Sequence, residues 1–123
     1  MAHAVIRQFS QRLDLEIDQG ATFQPILTWQ DENEVAVDLS GYSARAQIRD
    51  INDESLLHDM TTANGGIILG GPAGTIQFYI SDTDTTNFTF TRAKYDLELI
   101  EPVNSYVTRL VFGYALLFPE VTV

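Results

Sequence analysis

Cysteine is absent from this chain, which excludes disulfides, thiolate metal sites and cysteine nucleophiles. Histidine is scarce. His3 and His58 are the two present, far apart in sequence, so neither a histidine metal site nor a histidine base is supported by a neighbour. Positive charge is also short, with 7 Lys and Arg against 17 Asp and Glu and a net charge of −10. Such a surface repels nucleic-acid phosphates and anionic lipid, so neither nucleic acid nor membrane is expected as a partner. No apolar run approaches the roughly 20 residues that a membrane helix needs. The opening residues, Met1 to Phe9, lack the continuous apolar stretch of a secretory leader, so a soluble product is expected.

What the chain does have is alternation. Tyr42, Ala44, Ala46 and Ile48 fall on one face of a period-two pattern, and Ser43, Arg45, Gln47 and Arg49 on the other. Successive side chains of a pleated strand point to opposite faces, so this reads as a half-buried strand. Leu13, Leu15 and Ile17 repeat the pattern against Asp14, Glu16 and Asp18, as do Ile76, Phe78 and Ile80, and Tyr95, Leu97 and Leu99. Phe23 to Gln30 predicts a further strand in which Pro25 argues for an edge or a bulge. Val35 to Leu39 and Ile67 to Leu69 predict short ones, while Ser55 to Met60 fits strand and helical turn equally. Ser81, with Asp84 three residues on, predicts one capped helical turn between sheets. Tyr106 to Phe118 predicts the longest strand, with a bulge or bend at Gly113. From Leu110 onward it is apolar on both faces, which calls for burial on both or a neighbouring subunit. About eight short, mostly antiparallel strands with regular turns indicate an all-β sandwich or barrel. Residues 12–123 are expected to form that single domain and residues 1–11, without a clean period, an N-terminal arm. Tyr95 is a candidate for a tyrosine corner, its hydroxyl tied to nearby backbone.

Candidate chemistry is thin. Asn64-Gly65-Gly66 and Gly70 to Gly74 lack the Lys-Ser/Thr and following helix of a phosphate loop, and turn geometry explains them. Asp50, Asn52, Asp53 and Glu54, or Asp82 and Asp84, offer oxygens for Ca²⁺ without the spacing of a calcium loop. Asp96 and Glu98 share a strand face, as do Asp14, Glu16 and Asp18. Same-face carboxylates on a strand ordinarily mark a solvated surface, and a glycosidase needs two acids flanking a pocket. No catalytic residue, metal or cofactor is therefore expected. Outward aromatics, Tyr79 and Tyr106, leave open a carbohydrate-binding module, whereas Trp29 reads better as core.

A series of short motifs runs through nearly the whole chain: Gln19-Gly20-Ala21-Thr22-Phe23, Trp29-Gln30-Asp31-Glu32 and Asp38-Leu39-Ser40-Gly41-Tyr42-Ser43-Ala44-Arg45. Gly74-Thr75-Ile76, Tyr95-Asp96-Leu97-Glu98-Leu99, Thr108-Arg109-Leu110 and the ending Pro119-Glu120-Val121-Thr122 continue it. In this order the set resembles small tailed-phage virion proteins, especially the immunoglobulin-like N-terminal domains of baseplate and tail adaptor proteins. The resemblance implies an immunoglobulin-like β-sandwich without enzyme activity, made in the host cytoplasm and placed in the virion. It implies docking onto other virion structural proteins in symmetric copies, with a tail or baseplate position favoured over capsid decoration. Those adaptor proteins continue into a receptor-binding or fibre segment that this sequence does not include. The expected interface is Phe112, Tyr114, Leu116 and Phe118 of the last strand, together with Ile6 and Phe9 of the arm. An arm that orders only on assembly would leave a folded domain when deleted.

Overall fold

Wherever the sequence alternates cleanly, the computed structural model, which describes residues 3–7 and 9–122, places strands whose apolar members face inward. Among the described residues, ten strands form two facing sheets, an all-β sandwich. The first sheet holds β1 (His3–Ile6), β4 (Ile26–Trp29), β8 (Thr75–Phe78) and β7 (Ile67–Leu69), in that spatial order. The second runs β10 (Val107–Phe118), β9 (Arg92–Ile100), β5 (Ser43–Arg49) and β6 (Leu56–Thr61). Its far edge, beside β10, is made by β2 (Gln11–Arg12) and β3 (Leu15–Asp18) in succession.

The strands owe their faces to the alternation. In β5, Ala44, Ala46 and Ile48 are buried, and in β9 the same holds for Ala93, Tyr95, Leu97 and Leu99. Ile76, Phe78 and Ile80 meet them from the first sheet, with Phe78 and Tyr95 edge to face at 6.3 Å. Each fully buried Leu, Ile or Phe removes enough apolar surface from water to contribute about 1.5–3 kcal/mol. The crossover after β8 is the expected capped turn, α1 (Asp82–Thr86), in which Ser81 Oγ accepts the Asp84 N–H at 3.1 Å. Ser55 to Met60, open between two readings, resolves as β6.

Several local expectations need correction. Residues 3–6, read as part of an arm, form β1, which pairs in parallel with β4 from His3 opposite Ile26 to Ile6 opposite Trp29. Gln11, the last residue of that expected arm, pairs with β10 together with Arg12. Both are parallel edge pairings to distant strands, which leave no signature in a short local window. Pro25 is at neither an edge nor a bulge. It precedes β4, an interior strand, at a position where no ladder N–H is required, and its carbonyl accepts from Phe78 N–H at 3.1 Å. Val35 to Leu39 makes a single bridge, Gln30 to Ala36, instead of a strand, because the segment turns away to bury Leu39.

Two further corrections concern β10. Its irregularity is at Leu110, where the register against β9 skips between Arg109 and Val111. Gly113 itself stays in register opposite Tyr95. A side chain is excluded there because a Cβ would lie 2.7 Å from the Leu13 carbonyl oxygen and 2.6 Å from Asp14 Oδ1. Tyr95 does tie its hydroxyl to backbone, donating to the Leu13 carbonyl, but that partner belongs to the N-terminal edge instead of a nearby corner. Tyr95 thus fastens the β2–β3 edge to the centre of the sheet.

Candidate docking surface

The bulge at Leu110 decides which side chains the outer face presents. Leu110 and Val111 are both fully buried, so the alternation restarts one residue late. Arg109 and Phe112 then face outward together, opposite Glu98 and Asp96 of β9, and Tyr114 and Leu116 follow opposite Lys94 and Arg92. The double-sided apolar pattern of this strand has two sources: the bulge feeds extra residues to the core, and an aromatic stripe stays outside. Phe112, Tyr114 and Leu116 are half-buried and Phe118 is exposed.

Arginines cover that stripe. The Arg109 guanidinium sits 4.5 Å from the Phe112 ring centre, while Arg92 and Arg12 lie 4.6 and 5.0 Å from that of Tyr114. Each such contact contributes about 0.5–1 kcal/mol at an exposed site. Beside the stripe is an open concavity of about 520 Å³ bounded by Arg12, Arg49, Lys94, Asp96, Phe112 and Tyr114. Some cations here are held by neighbours. Arg45 Nε meets Glu98 Oε1 at 2.7 Å, Lys94 meets Glu54 at 3.1 Å, and Arg12 meets Asp14 at 3.4 Å. Arg49 donates to Gln47 Oε1 at 2.7 Å and to the Glu54 carbonyl at 2.8 Å. Arg92 and Arg109 have no carboxylate within 4.0 Å among the described residues.

Two acids inside this array are tuned in opposite directions. Asp14 accepts the Tyr114 backbone N–H at 2.9 Å. That bond, helped by Arg12 and opposed by burial, holds its carboxyl below the ordinary value. Asp96 is pushed up, by burial first and by Glu98 second, with Arg109 and Arg45 opposing. Asp96 and Glu98 share the outer face, both partly buried, with Glu98 engaged by Arg45.

The other candidate residues are dispersed. Ile6 is fully buried in the core. A side chain without exposure presents nothing to a partner, so of the two N-terminal candidates only Phe9 is presented. It is 67% exposed and meets Trp29 edge to face at 6.0 Å. Trp29 is itself buried, as the core reading expects. Tyr79 follows β8 in the first sheet and Tyr106 precedes β10 in the second, so these two do not share a platform. His58 packs edge to face on Phe88 at 5.4 Å, and burial pushes its imidazole below the ordinary value against Asp84 and Asp59. The side chain of His3 lies outside the described residues. Carboxylates weighed for calcium cap local turns: Asp50 Oδ1 accepts from Asn52 and Asp53, and Asp53 Oδ1 from Ser55. Among the described residues, no group of three or more His, Cys, Asp or Glu is placed to hold a metal. Nor is any helix among them long and apolar enough to cross a membrane.

The aromatic half of this face is legible in the sequence and the basic half is not. Arg12 stands 80 positions before Arg92, and only the strand order β2–β10–β9 brings them together with Arg109. The signal available was their outward phase within each alternating run.

Comparison with known proteins places the fold. No family model matches the chain, and no curated protein does. Among solved structures it is similar to the N-terminal domain of phage TP901-1 ORF48, with a TM-score of 0.50 and 10% identity. The match covers 95% of this chain and 98% of that one. The chain has a phage-protein-like fold.

Proposed function

We propose that this chain is a non-enzymatic structural module of a tailed-phage virion, of the immunoglobulin-like type, sited in the tail or baseplate. It docks onto other virion proteins through the outer face of β10 and its neighbours. The observation that carries this reading is the stripe of Phe112 and Tyr114, overlaid by Arg109, Arg92 and Arg12 on an open sheet face. Tyr, Phe and Arg are the residue types enriched at the centres of protein interfaces, where they combine large contact area with directional donors. Likeness over nearly the whole length of a phage protein's N-terminal domain supports the same reading. A carbohydrate platform is the weaker alternative, since Phe112 and Tyr114 carry guanidinium groups instead of standing bare.

The test is an antibody against this chain applied to purified virions from the host that carries the gene, with electron microscopy. Label at the tail or baseplate is the expected result. Label spread over the capsid shell would favour a decoration protein, and absence of label from intact and opened virions would overturn the virion assignment.

A further inference from the structure

Charge is segregated on this molecule in a way its net value hides. Six of the seven basic residues, Arg12, Arg45, Arg49, Arg92, Lys94 and Arg109, lie on the outer face of the six-stranded sheet. Seven of the seventeen acids share or rim that face: Asp14, Glu16, Asp18, Glu54, Asp59, Asp96 and Glu98. The face is therefore close to neutral, and within it Arg92 and Arg109 lack a carboxylate partner among the described residues. The other ten acids sit outside the strands, on loops at the ends of the sandwich and, for Asp82 and Asp84, on α1, while Arg7, the remaining cation, pairs with Glu34 of loop 31–35 at 3.3 Å.

One of those ends matches the face in chemistry. The β4 end at Trp29 touches Tyr42 at the start of β5, at 6.3 Å between rings, and β5 starts beside the end of β9. Loops 31–35 and 101–106 consequently belong to the same end. They present Glu32 together with Val35, Val103 and Tyr106, which are 58%, 84% and 68% exposed. The exposed carboxylate of Glu32 and the exposed Val35 on the same loop are what a guanidinium fork beside Phe112 and Tyr114 accommodates, because Arg pairs carboxylates bidentately while the rings take the apolar contact.

We propose that the outer face of β10 and β9 receives the acidic 31–35 end of a second copy of this chain. Face meeting end is a heterologous contact, the kind that closes into a ring when the rotation allows. The proposal rests on the docking reading above and deepens it by naming the partner.

Sedimentation velocity of the full chain tests it at about 0.15 M salt, where a screening length of roughly 8 Å mutes repulsion between like-charged copies. Wild type is expected to self-associate with concentration. Arg92→Glu/Arg109→Glu breaks the face and Glu32→Lys/Val35→Lys breaks the end, at exposed side chains whose circular dichroism should match wild type. Each variant alone should associate at least about tenfold more weakly. Mixed in equal amounts they should form a dimer that goes no further, since one supplies an intact end and the other an intact face. Wild type that stays monomeric to about 1 mM overturns the proposal. So does a face variant that associates like wild type, or a mixture that stays monomeric. Wild-type monomer would leave docking on a different virion protein standing, whereas unlabelled virions would sink the virion reading without touching self-association.

Discussion

Tyr95→Phe removes one oxygen atom and isolates the bond that fastens the N-terminal edge to the sheet. The hydroxyl, 5% exposed as part of its residue, donates to the carbonyl of Leu13. Phenylalanine keeps the ring against Phe78 and leaves that carbonyl without this donor. Losing a hydrogen bond to a partner that stays in place costs about 1–2 kcal/mol, or roughly 3–10 °C in Tm for a domain of this size. The same bond carries a pH signature. Burial, with Asp14 and Asp96 adding negative charge nearby, pushes the Tyr95 phenol above its ordinary value of 10.0. Above that pH the unfolded chain releases the proton while the folded chain retains it, so the unfolded state binds fewer protons and stability falls as pH rises. The slope is about 1.4 kcal/mol per pH unit. A phenylalanine ring does not ionise, so the variant escapes this loss. Urea unfolding of both proteins at pH 7, 9, 10 and 11 should show the variant weaker at pH 7 and 9, with the gap closing between 10 and 11. Equal midpoints at pH 7 with a gap that stays flat to pH 11 would refute the placement of this hydroxyl.

Gly113→Ala should cost about 1–3 kcal/mol in urea unfolding, because its Cβ would strike the Leu13 carbonyl oxygen at 2.7 Å; the Tyr114 amide, bonded to Asp14, should exchange faster with deuterium. Asp96→Asn should raise Tm at pH 7: with its folded carboxyl pushed up, Asp96 contributes stability at low pH that is lost as pH rises through the folded value, so the gain should vanish near pH 3. Asp14→Asn should do the opposite, lowering Tm at pH 7 and converging with wild type as pH falls below 3.8, since the folded carboxyl is held down. Ile6→Ala should cost about 2–5 kcal/mol by thermal or urea unfolding, and removal of residues 1–11 should destabilise the domain itself; an unaffected melting curve for either would return this segment to the status of an arm.

Legibility in the sequence followed the range of the interactions. Alternation at Ala44, Ala46 and Ile48, or at Tyr95, Leu97 and Leu99, reports a strand because the buried face and the period belong to one short segment. The Ser81 cap is equally local, its donor three residues away. β1 and β2 were opaque for the converse reason. Val5 is exposed and Ile6 buried only because β4 runs alongside, a pairing about two dozen residues distant. Gly113 and Pro25 were recognised as special, but what made them so, the Leu13 carbonyl and the start of an interior strand, lies elsewhere in the chain.

The same distinction explains why the candidate surface was half visible. Phe112, Tyr114, Leu116 and Phe118 stand on a single strand, where apolar residues out of phase with the core can be noticed. The arginines that cover Phe112 and Tyr114 come from β2, β9 and β10, and their convergence is a property of strand order. Net charge hides the same feature, because −10 describes an average to which residues outside the six-stranded sheet's face contribute nearly everything. A face near neutrality, with two guanidinium groups clear of the described carboxylates, is a different partner from the one the total suggests. Under the docking proposed above, such a face favours a carboxylate-bearing protein over a bare polyanion, because Asp96 and Glu98 interrupt the positive field that a phosphate backbone would need to follow.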